Sequence, residues 1–239
     1  MNTEVAGWMR AAERIVILTG AGVSAESGVP TFRGSSGLWR QFRAEDLATP
    51  DAFARQPALV WEWYLWRRGL IAAAQPNAGH RAIARLEQRR RGVTLLSQNV
   101  DGLHRRAGSD PIELHGNLWH VRCANACGVR AHDLESAPPR EQLRCACGAW
   151  LRPGVVWFGE PLDPETLDRA TDAAAAADLL LVVGTSAVVY PVAALPDMAR
   201  RRGVRVVEIN IDTTPLTPHV DAHLRGSAAS ILPELERQV

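Results

Sequence analysis

Four short, mainly apolar runs, each closed by small or polar residues, set the rhythm of the chain. They are Ile15-Val16-Ile17-Leu18 before Thr19-Gly20, Val93 to Leu96 before Ser97-Gln98-Asn99, Leu179 to Val183 before Gly184-Thr185-Ser186, and Val204 to Ile209 before Asn210. Runs of this kind belong to strands covered on both faces, as in a parallel sheet. Between them lie helical patterns, Gly79 to Arg90 and Pro164 to Ala177. Strands that alternate with helices predict a doubly wound, Rossmann-like α/β parallel sheet, and in such sheets ligands sit beyond the carboxyl ends of the strands. All four runs end in residues suited to that.

Two stretches break the rhythm. One, from about Arg40 to Gln75, is helical and rich in tryptophan; the other, from about Trp119 to Trp150, holds every cysteine. The expected organisation is a Rossmann-like domain built from 1–40, 76–118 and 152–239, a helical insertion over 41–75 and a small module over 119–151. No internal repeat is present, and the alanine run Ala173 to Ala177 is the one low-complexity stretch.

Composition narrows the partners. The chain has 239 residues, with 27 basic side chains against 26 acidic ones and a net charge of +1. That balance lacks the basic excess of a protein held to nucleic acid by phosphate contacts, so nucleic acid and acidic membrane surfaces are not expected partners. All 27 basic residues are arginine, because the sequence contains no lysine. Drift of codon usage in a GC-rich genome accounts for this without functional cause. The first residues, with Glu4, Arg10, Glu13 and Arg14, never build the apolar core of a secretory signal. The longest apolar stretch, near Leu179 to Leu195, is cut by Gly184, Thr185, Ser186 and Pro191 and is no bilayer span. A cytoplasmic protein is expected. The oligomeric state is left open, a monomer included.

Cys123, Cys127, Cys145 and Cys147 lie within 25 residues, whereas a secreted disulfide framework spreads its cysteines along the chain. Four clustered thiolates suffice for a closed tetrahedral zinc site, and four reduced thiols without metal are the alternative.

Gly20-Ala21-Gly22-Val23-Ser24-Ala25 follows a predicted strand and satisfies G-x-G-x-x-A, in which glycines allow a tight turn and close approach to a pyrophosphate. A dehydrogenase would also place an acidic residue at the end of a second strand about twenty residues on. Here that distance reaches Glu45-Asp46 with no strand between, so hydride transfer is disfavoured.

The longer run from Gly20 to Gly34, with Glu26-Ser27-Gly28-Val29-Pro30-Thr31-Phe32-Arg33 inside it, resembles the signature of the sirtuins, NAD-dependent protein-lysine deacylases. Four further blocks follow in the family's order: Gln98-Asn99-Val100-Asp101, Leu114-His115-Gly116, the cysteine cluster and Gly184-Thr185-Ser186. The resemblance covers almost the whole chain. It implies that Gly20, Ala21, Gly22, Ser24, Glu26, Ser27, Thr31, Phe32, Arg33 and Trp39 surround the NAD phosphates and nicotinamide-side ribose. Gln98, Asn99, Val100 and Asp101 would line the nicotinamide pocket, and Gly184, Thr185, Ser186, Asn210, Asp212 and Ala228 the ribose and adenine end. For the serines and Asn210, turn and cap chemistry is the competing explanation.

The resemblance also implies the reaction. The acyl-lysine carbonyl oxygen attacks the anomeric carbon of the nicotinamide ribose and nicotinamide leaves. His115 then acts as general base on a ribose hydroxyl, and free lysine and O-acyl-ADP-ribose are released. Imidazole suits that role because it titrates near neutrality; His104 and His120 are the neighbouring competitors, and residue type alone does not choose among the three. The cysteines would hold zinc, although their C-x-x-x-C and C-x-C spacings depart from the paired C-x-x-C of the family.

Tyr64 and Arg67 stand three apart in Trp61-Glu62-Trp63-Tyr64-Leu65-Trp66-Arg67-Arg68 and share one face of a helix. A phenol beside a guanidinium can hold a carboxylate, as a succinyl- or malonyl-lysine requires. The pair resembles that of the desuccinylase and demalonylase branch; a tryptophan-anchored helix with a solvated arginine is the plain alternative. Val156, Trp157 and Phe158 resemble the segment that pairs edgewise with an extended acyl-lysine peptide. A mono-ADP-ribosyltransferase or NAD hydrolase on the same site, and a non-enzymatic nucleotide-binding module, are the competing functions.

Overall fold

The structure is a computed structural model and describes residues 2–30, 42–127, 130–131 and 143–239. In chain order the strands are β1 (Ile15–Thr19), β2 (Val93–Ser97), β3 (Ile112–Glu113), β4 (Gly116–Cys123), β5 (Arg130–Ala131), β6 (Leu151–Val155), β7 (Leu179–Val183), β8 (Arg205–Asn210) and β9 (Ala222–Arg225). Six of them form a parallel sheet in the order β3-β2-β1-β7-β8-β9. The chain runs outward from β1 in one direction, then returns to the other side of β1 at β7. That reversal makes a topological switch point between β1 and β7, where a crevice opens at the carboxyl ends.

The helices are α1 (Asn2–Ala11), α2 (Ala44–Leu47), α3 (Pro50–Arg55), α4 (Pro57–Ala73), α5 (Ala78–Arg89), α6 (Leu103–Arg106), α7 (Pro164–Ala176), α8 (Leu195–Arg201) and α9 (Ala228–Arg237). Met9, Ile83, Leu86, Leu232 and Leu235 of α1, α5 and α9 cover the face carrying Ile15, Ile17, Leu95 and Leu181. Ala170, Ala174, Leu195 and Ala199 of α7 and α8 cover the opposite face, with Val16, Leu18, Leu180 and Val182. Every residue of β1 and β7 is buried. This two-sided burial is why those runs lack alternation. Removing the side chain of Ile17 would cost roughly 2–5 kcal/mol.

Both insertions share a third core. Phe53, Trp61, Trp63 and Tyr64 of α3 and α4 pack with Leu118, Val121, Leu151 and Val155 of the small antiparallel sheet β5-β4-β6. Trp61 Nε1 donates to the Leu151 carbonyl at 2.7 Å, and the Arg68 guanidinium donates to the Leu118 carbonyl at 3.0 and 2.6 Å. Helix α4 is thereby fixed against the cysteine-bearing sheet. Asn77 caps α5 by accepting from Gly79 N at 2.9 Å, while its Nδ2 donates to the Val23 carbonyl at 2.8 Å. One side chain thus starts a helix and holds the glycine turn. Among the described residues, no helix is long and apolar enough to cross a membrane.

Strands β3 and β9 are additions to the pattern read from sequence. The first has two residues, and the second is an edge strand whose His223 and Arg225 interrupt its apolar positions.

Candidate active site and cysteine cluster

At the switch point two turns interlock. Gly20 N donates to the Val183 carbonyl at 3.0 Å and Gly22 N to the Gly184 carbonyl at 2.8 Å. A Cβ on Gly20 would fall 2.7 Å from Thr185 Cβ, and one on Gly22 would fall 2.7 Å from the Gly184 oxygen. Gly184 itself has φ 58°. These glycines are therefore required by backbone-to-backbone packing as well as by any phosphate. After β1 the chain enters a 3₁₀ helix over Ala21–Ser27.

The crevice encloses about 730 Å³, within the range of cofactor and substrate pockets. Gly20, Ala21, Gly22, Gln98, Asn99, Val100, His115, Gly184, Thr185, Ser186, Asn210 and Asp212 line one part of it; Tyr64, Arg67, Val156, Trp157 and Phe158 line another. Gln98 Nε2 donates to Thr185 Oγ1 at 3.0 Å and Asn210 Nδ2 to the Thr185 carbonyl at 2.9 Å, so the turns after β2, β7 and β8 are tied together.

Five expected cofactor residues stand outside the lining. Ser24 and Asp101 are buried behind it: Ser24 Oγ donates to Asp101 Oδ2 at 2.7 Å and accepts from Asn99 Nδ2 at 3.1 Å. Asp101 also accepts from Leu103 N at 2.8 Å. Burial pushes the Asp101 carboxyl above the usual carboxylate range, against the pull of these donors and of the Arg67 and Arg106 charges. Glu26 accepts from Ala229 N at 3.3 Å, Ser27 Oγ accepts from Asn77 Nδ2 at 3.0 Å, and Ala228 starts α9 against Gly79. All three join the glycine turn or its supports to the neighbouring helices. Thr31, Phe32, Arg33 and Trp39 lie outside the described residues.

His115 sits in the turn between β3 and β4, with Nδ1 2.9 Å from the Gln98 carbonyl oxygen. A carbonyl only accepts, so Nδ1 carries the proton and the neutral ring keeps its lone pair on Nε2. Burial lowers the pKa of His115 below the ordinary imidazole value, partly opposed by the Gln98 carbonyl. The ring is a neutral base at pH 7. Neither competitor lines the cavity. His104 is buried, 3.0 Å from Thr19 Oγ1 and 4.8 Å from the His80 ring, and burial drives its pKa down to about 3.

Tyr64 and Arg67 are 3% and 5% exposed, which removes the solvated-arginine alternative. Trp157 Nε1 donates to the Tyr64 hydroxyl oxygen at 2.8 Å, leaving the phenolic proton free to be donated elsewhere. The Arg67 guanidinium lies 5.4 Å from the Trp63 ring centre. Burial lowers its pKa and raises that of Tyr64; the proximity of Tyr64 and Asp101 favours the charged arginine.

Sequence reasoning missed the support under this pair. The Arg152 guanidinium grips Glu160 at 2.5 and 2.8 Å and lies 3.4 Å from the Trp157 ring centre, while Glu160 accepts from Trp157 N at 2.9 Å. It also missed Tyr190, Ile211, Thr213 and Thr214, which line the cavity. The rule that ligands meet the loops beyond strand ends was the available signal, since these loops follow β7 and β8.

The four cysteine sulfurs lie within 4.8 Å of one another, with Cys123 to Cys147 and Cys127 to Cys145 both at 3.5 Å. A disulfide needs about 2.05 Å. Four sulfurs about 2.3 Å from a central zinc stand roughly 3.8 Å apart, so the set fits a tetrahedral thiolate site. The unusual spacing is absorbed by the backbone: Ala126 has φ 49° and Gly148 φ 83°, and Gly148 N donates to the Cys145 carbonyl at 2.9 Å to close the tighter turn.

Residues 20–191 match the sequence model of the Sir2 family. The chain is 54% identical over 230 residues to NAD-dependent protein deacylase 1 of Archaeoglobus fulgidus, covering 94% of this chain and 92% of that protein. It is 48% identical over 251 residues to the mitochondrial NAD-dependent protein deacylase sirtuin-5 of Canis lupus familiaris, covering 93% of this chain and 81% of that one. The crystal structure of a Sir2 homolog–NAD complex superposes with a TM-score of 0.93 at 50% identity, covering 99% of this chain and 93% of the other. With a family match over most of its length and relatives near half identity, the chain belongs to the Sir2 family.

Proposed function

We propose that the protein is an NAD-dependent protein-lysine deacylase that removes succinyl and malonyl groups, and acetyl groups beside them, from lysine. The observation that carries the reading is His115: a neutral base with its lone pair on Nε2, in one cavity with the glycine turn at one end and Tyr64 and Arg67 at the other. NAD fits this cavity because Gly20, Ala21 and Gly22, the turn that follows β1, line it at the switch point. When bound, it supplies the ribose carbon that takes the acyl oxygen and the hydroxyl that accepts the acyl group.

The remaining work falls to the chain. The turn from Gly20 to Gly22 holds the phosphates, and Gln98 and Asn99 flank the nicotinamide. Ser24 and Asp101 hold the Asn99 amide from behind, with Glu26 and Ser27 keeping the turn on its helices. Thr185, Ser186, Asn210 and Asp212 bound the ribose and adenine end. His115 Nε2 removes the proton of the ribose hydroxyl. Tyr64 donates its free proton, and Arg67 its fork, to the carboxylate of an acidic acyl group. Val156 to Phe158 pair with the extended peptide backbone, so demands on flanking side chains are modest. Cys123, Cys127, Cys145 and Cys147 hold a structural zinc and take no part in the reaction. Reduced, clustered thiols suit a cytoplasmic setting.

The test is NAD-dependent release from a panel of acetyl-, malonyl- and succinyl-lysine peptides, with products identified by mass spectrometry. O-acyl-ADP-ribose supports deacylation. ADP-ribosylated protein or free ADP-ribose in its place would assign the site to transfer or hydrolysis instead.

A further inference from the structure

Glu208 lies in the middle of β8, in register with Val182 of β7 and His223 of β9, and is completely buried. A carboxylate within a sheet is strongly disfavoured unless its charge is met by hydrogen bonds, and deacylation as proposed makes no use of it. Its partners are two threonines in the loop that leaves β8. Thr214 Oγ1 donates to Oε1 at 2.6 Å and Thr217 Oγ1 donates to Oε2 at 2.5 Å.

Directions are fixed by what each hydroxyl accepts. Thr214 Oγ1 accepts from Leu216 N at 3.1 Å, and Thr217 Oγ1 accepts from Thr214 N at 2.8 Å. Both hydroxyl protons are therefore left for the carboxylate, a pair of short charge-assisted bonds. The loop is folded back onto the strand that launched it. At its start, Asn210 is anchored to the Thr185 carbonyl at 2.9 Å. Ile211, Asp212, Thr213, Thr214 and Pro215 of this loop all line the cavity.

We infer that Glu208 is a positioning residue for the nucleotide: its buried carboxylate clamps the 211–217 loop and so sets how tightly the ribose and adenine end of the cavity holds NAD. The inference rests on the NAD assignment above. Thr217 is the sharper probe, because it holds the clamp without lining the cavity. Val at this position keeps the volume and removes the donor; Gln at 208 can accept from one hydroxyl but meets the other with an NH₂ group.

Calorimetry with ADP-ribose and with NAD on the purified protein reads binding apart from turnover. For Thr217→Val and Glu208→Gln the Kd for ADP-ribose should rise about ten-fold and the KM for NAD in parallel, with the KM for peptide within about two-fold. Thr217→Ser should restore the wild-type Kd. A role in folding alone predicts a lower melting temperature with unchanged Kd, and that result in Thr217→Val overturns the inference whether or not Glu208→Gln folds. If the wild-type protein bound no ADP-ribose, the NAD assignment itself would fall first.

Discussion

Replacing Arg67 by methionine should change which acyl group is removed more than it changes the rate of removal. Arg67 is 5% exposed, so its guanidinium is already desolvated before substrate arrives, with its charge met by Asp101 and the Trp63 ring face. An entering carboxylate gains a buried, bidentate partner plus the Tyr64 proton, which Trp157 leaves free by occupying the phenol oxygen at 2.8 Å. Truncating one partner of such a pair costs about 2–5 kcal/mol, or roughly 30-fold to several thousand-fold. An acetyl group has no carboxylate to lose, and methionine gives its methyl an apolar neighbour of similar volume. The ratio of kcat/KM for succinyl-lysine over acetyl-lysine should therefore fall at least about 30-fold, carried mainly by KM. Tyr64→Phe removes a weaker bond but strands the Trp157 indole N–H, and should lower the ratio by about ten-fold. The assay compares peptides of one sequence that differ only in the acyl group, with melting temperatures measured alongside. Removing Arg67 leaves the buried Asp101 carboxyl with one opposing charge fewer, so the melting temperature should fall. Equal loss on both substrates in a folded Arg67→Met protein would refute the clamp.

Three other outcomes follow from the same geometry. His115→Ala should lose deacylation while keeping its melting temperature and its affinity for ADP-ribose; in the wild type the lowered pKa keeps the ring neutral at pH 7, so kcat/KM should decline only below about pH 6.5. Purified protein should carry about one zinc per chain, and Cys145→Ser or a strong chelator should remove it and lower the melting temperature by loosening the 119–151 module; a zinc-free protein of unchanged stability would sink the site. His80 and His104 have pKa values pushed down by burial to about 4 and about 3. Below pH 6.5 the unfolded chain binds protons that these buried rings refuse, so stability present at neutral pH should be lost at about 1.4 kcal/mol per pH unit per ring as pH falls toward those values, read as melting temperature against pH.

How much of this was legible in the sequence depended on whether the deciding contact was local. Strands β1, β2 and β7 could be read because two-sided burial leaves an apolar run, whereas β9 could not, because its His223 and Arg225 break the pattern at the sheet edge. The glycine turn was read for its approach to phosphate; its interlock with Gly184 joins positions about 160 residues apart and has no sequence signal. Tyr64 and Arg67 were visible as an i, i+3 pair. Their burial was not, since it comes from Trp157 and the small sheet, and a helix carrying three nearby tryptophans does not announce which face is covered. Glu208 was hidden for the opposite reason: one acidic residue inside an apolar run looks like an interruption until Thr214 and Thr217 fold back onto it.

The absence of lysine turns on the same distinction between identity and place. In a chain whose 27 basic residues are all arginine, being arginine says nothing about Arg67. Burial does. Three arginines are buried among the described residues: Arg67, Arg68 and Arg152. Arg68 turns its donors to the Leu118 carbonyl and Arg152 grips Glu160, so both brace the walls of the site. Arg67 is the one of the three that lines the cavity. The same composition bears on the proposed chemistry, because a lysine deacylase without lysine offers itself no side-chain substrate. Acyl groups taken from lysine side chains would then come from other chains, with the α-amine of Met1 the one amine of its own, whether codon drift or selection emptied it of lysine.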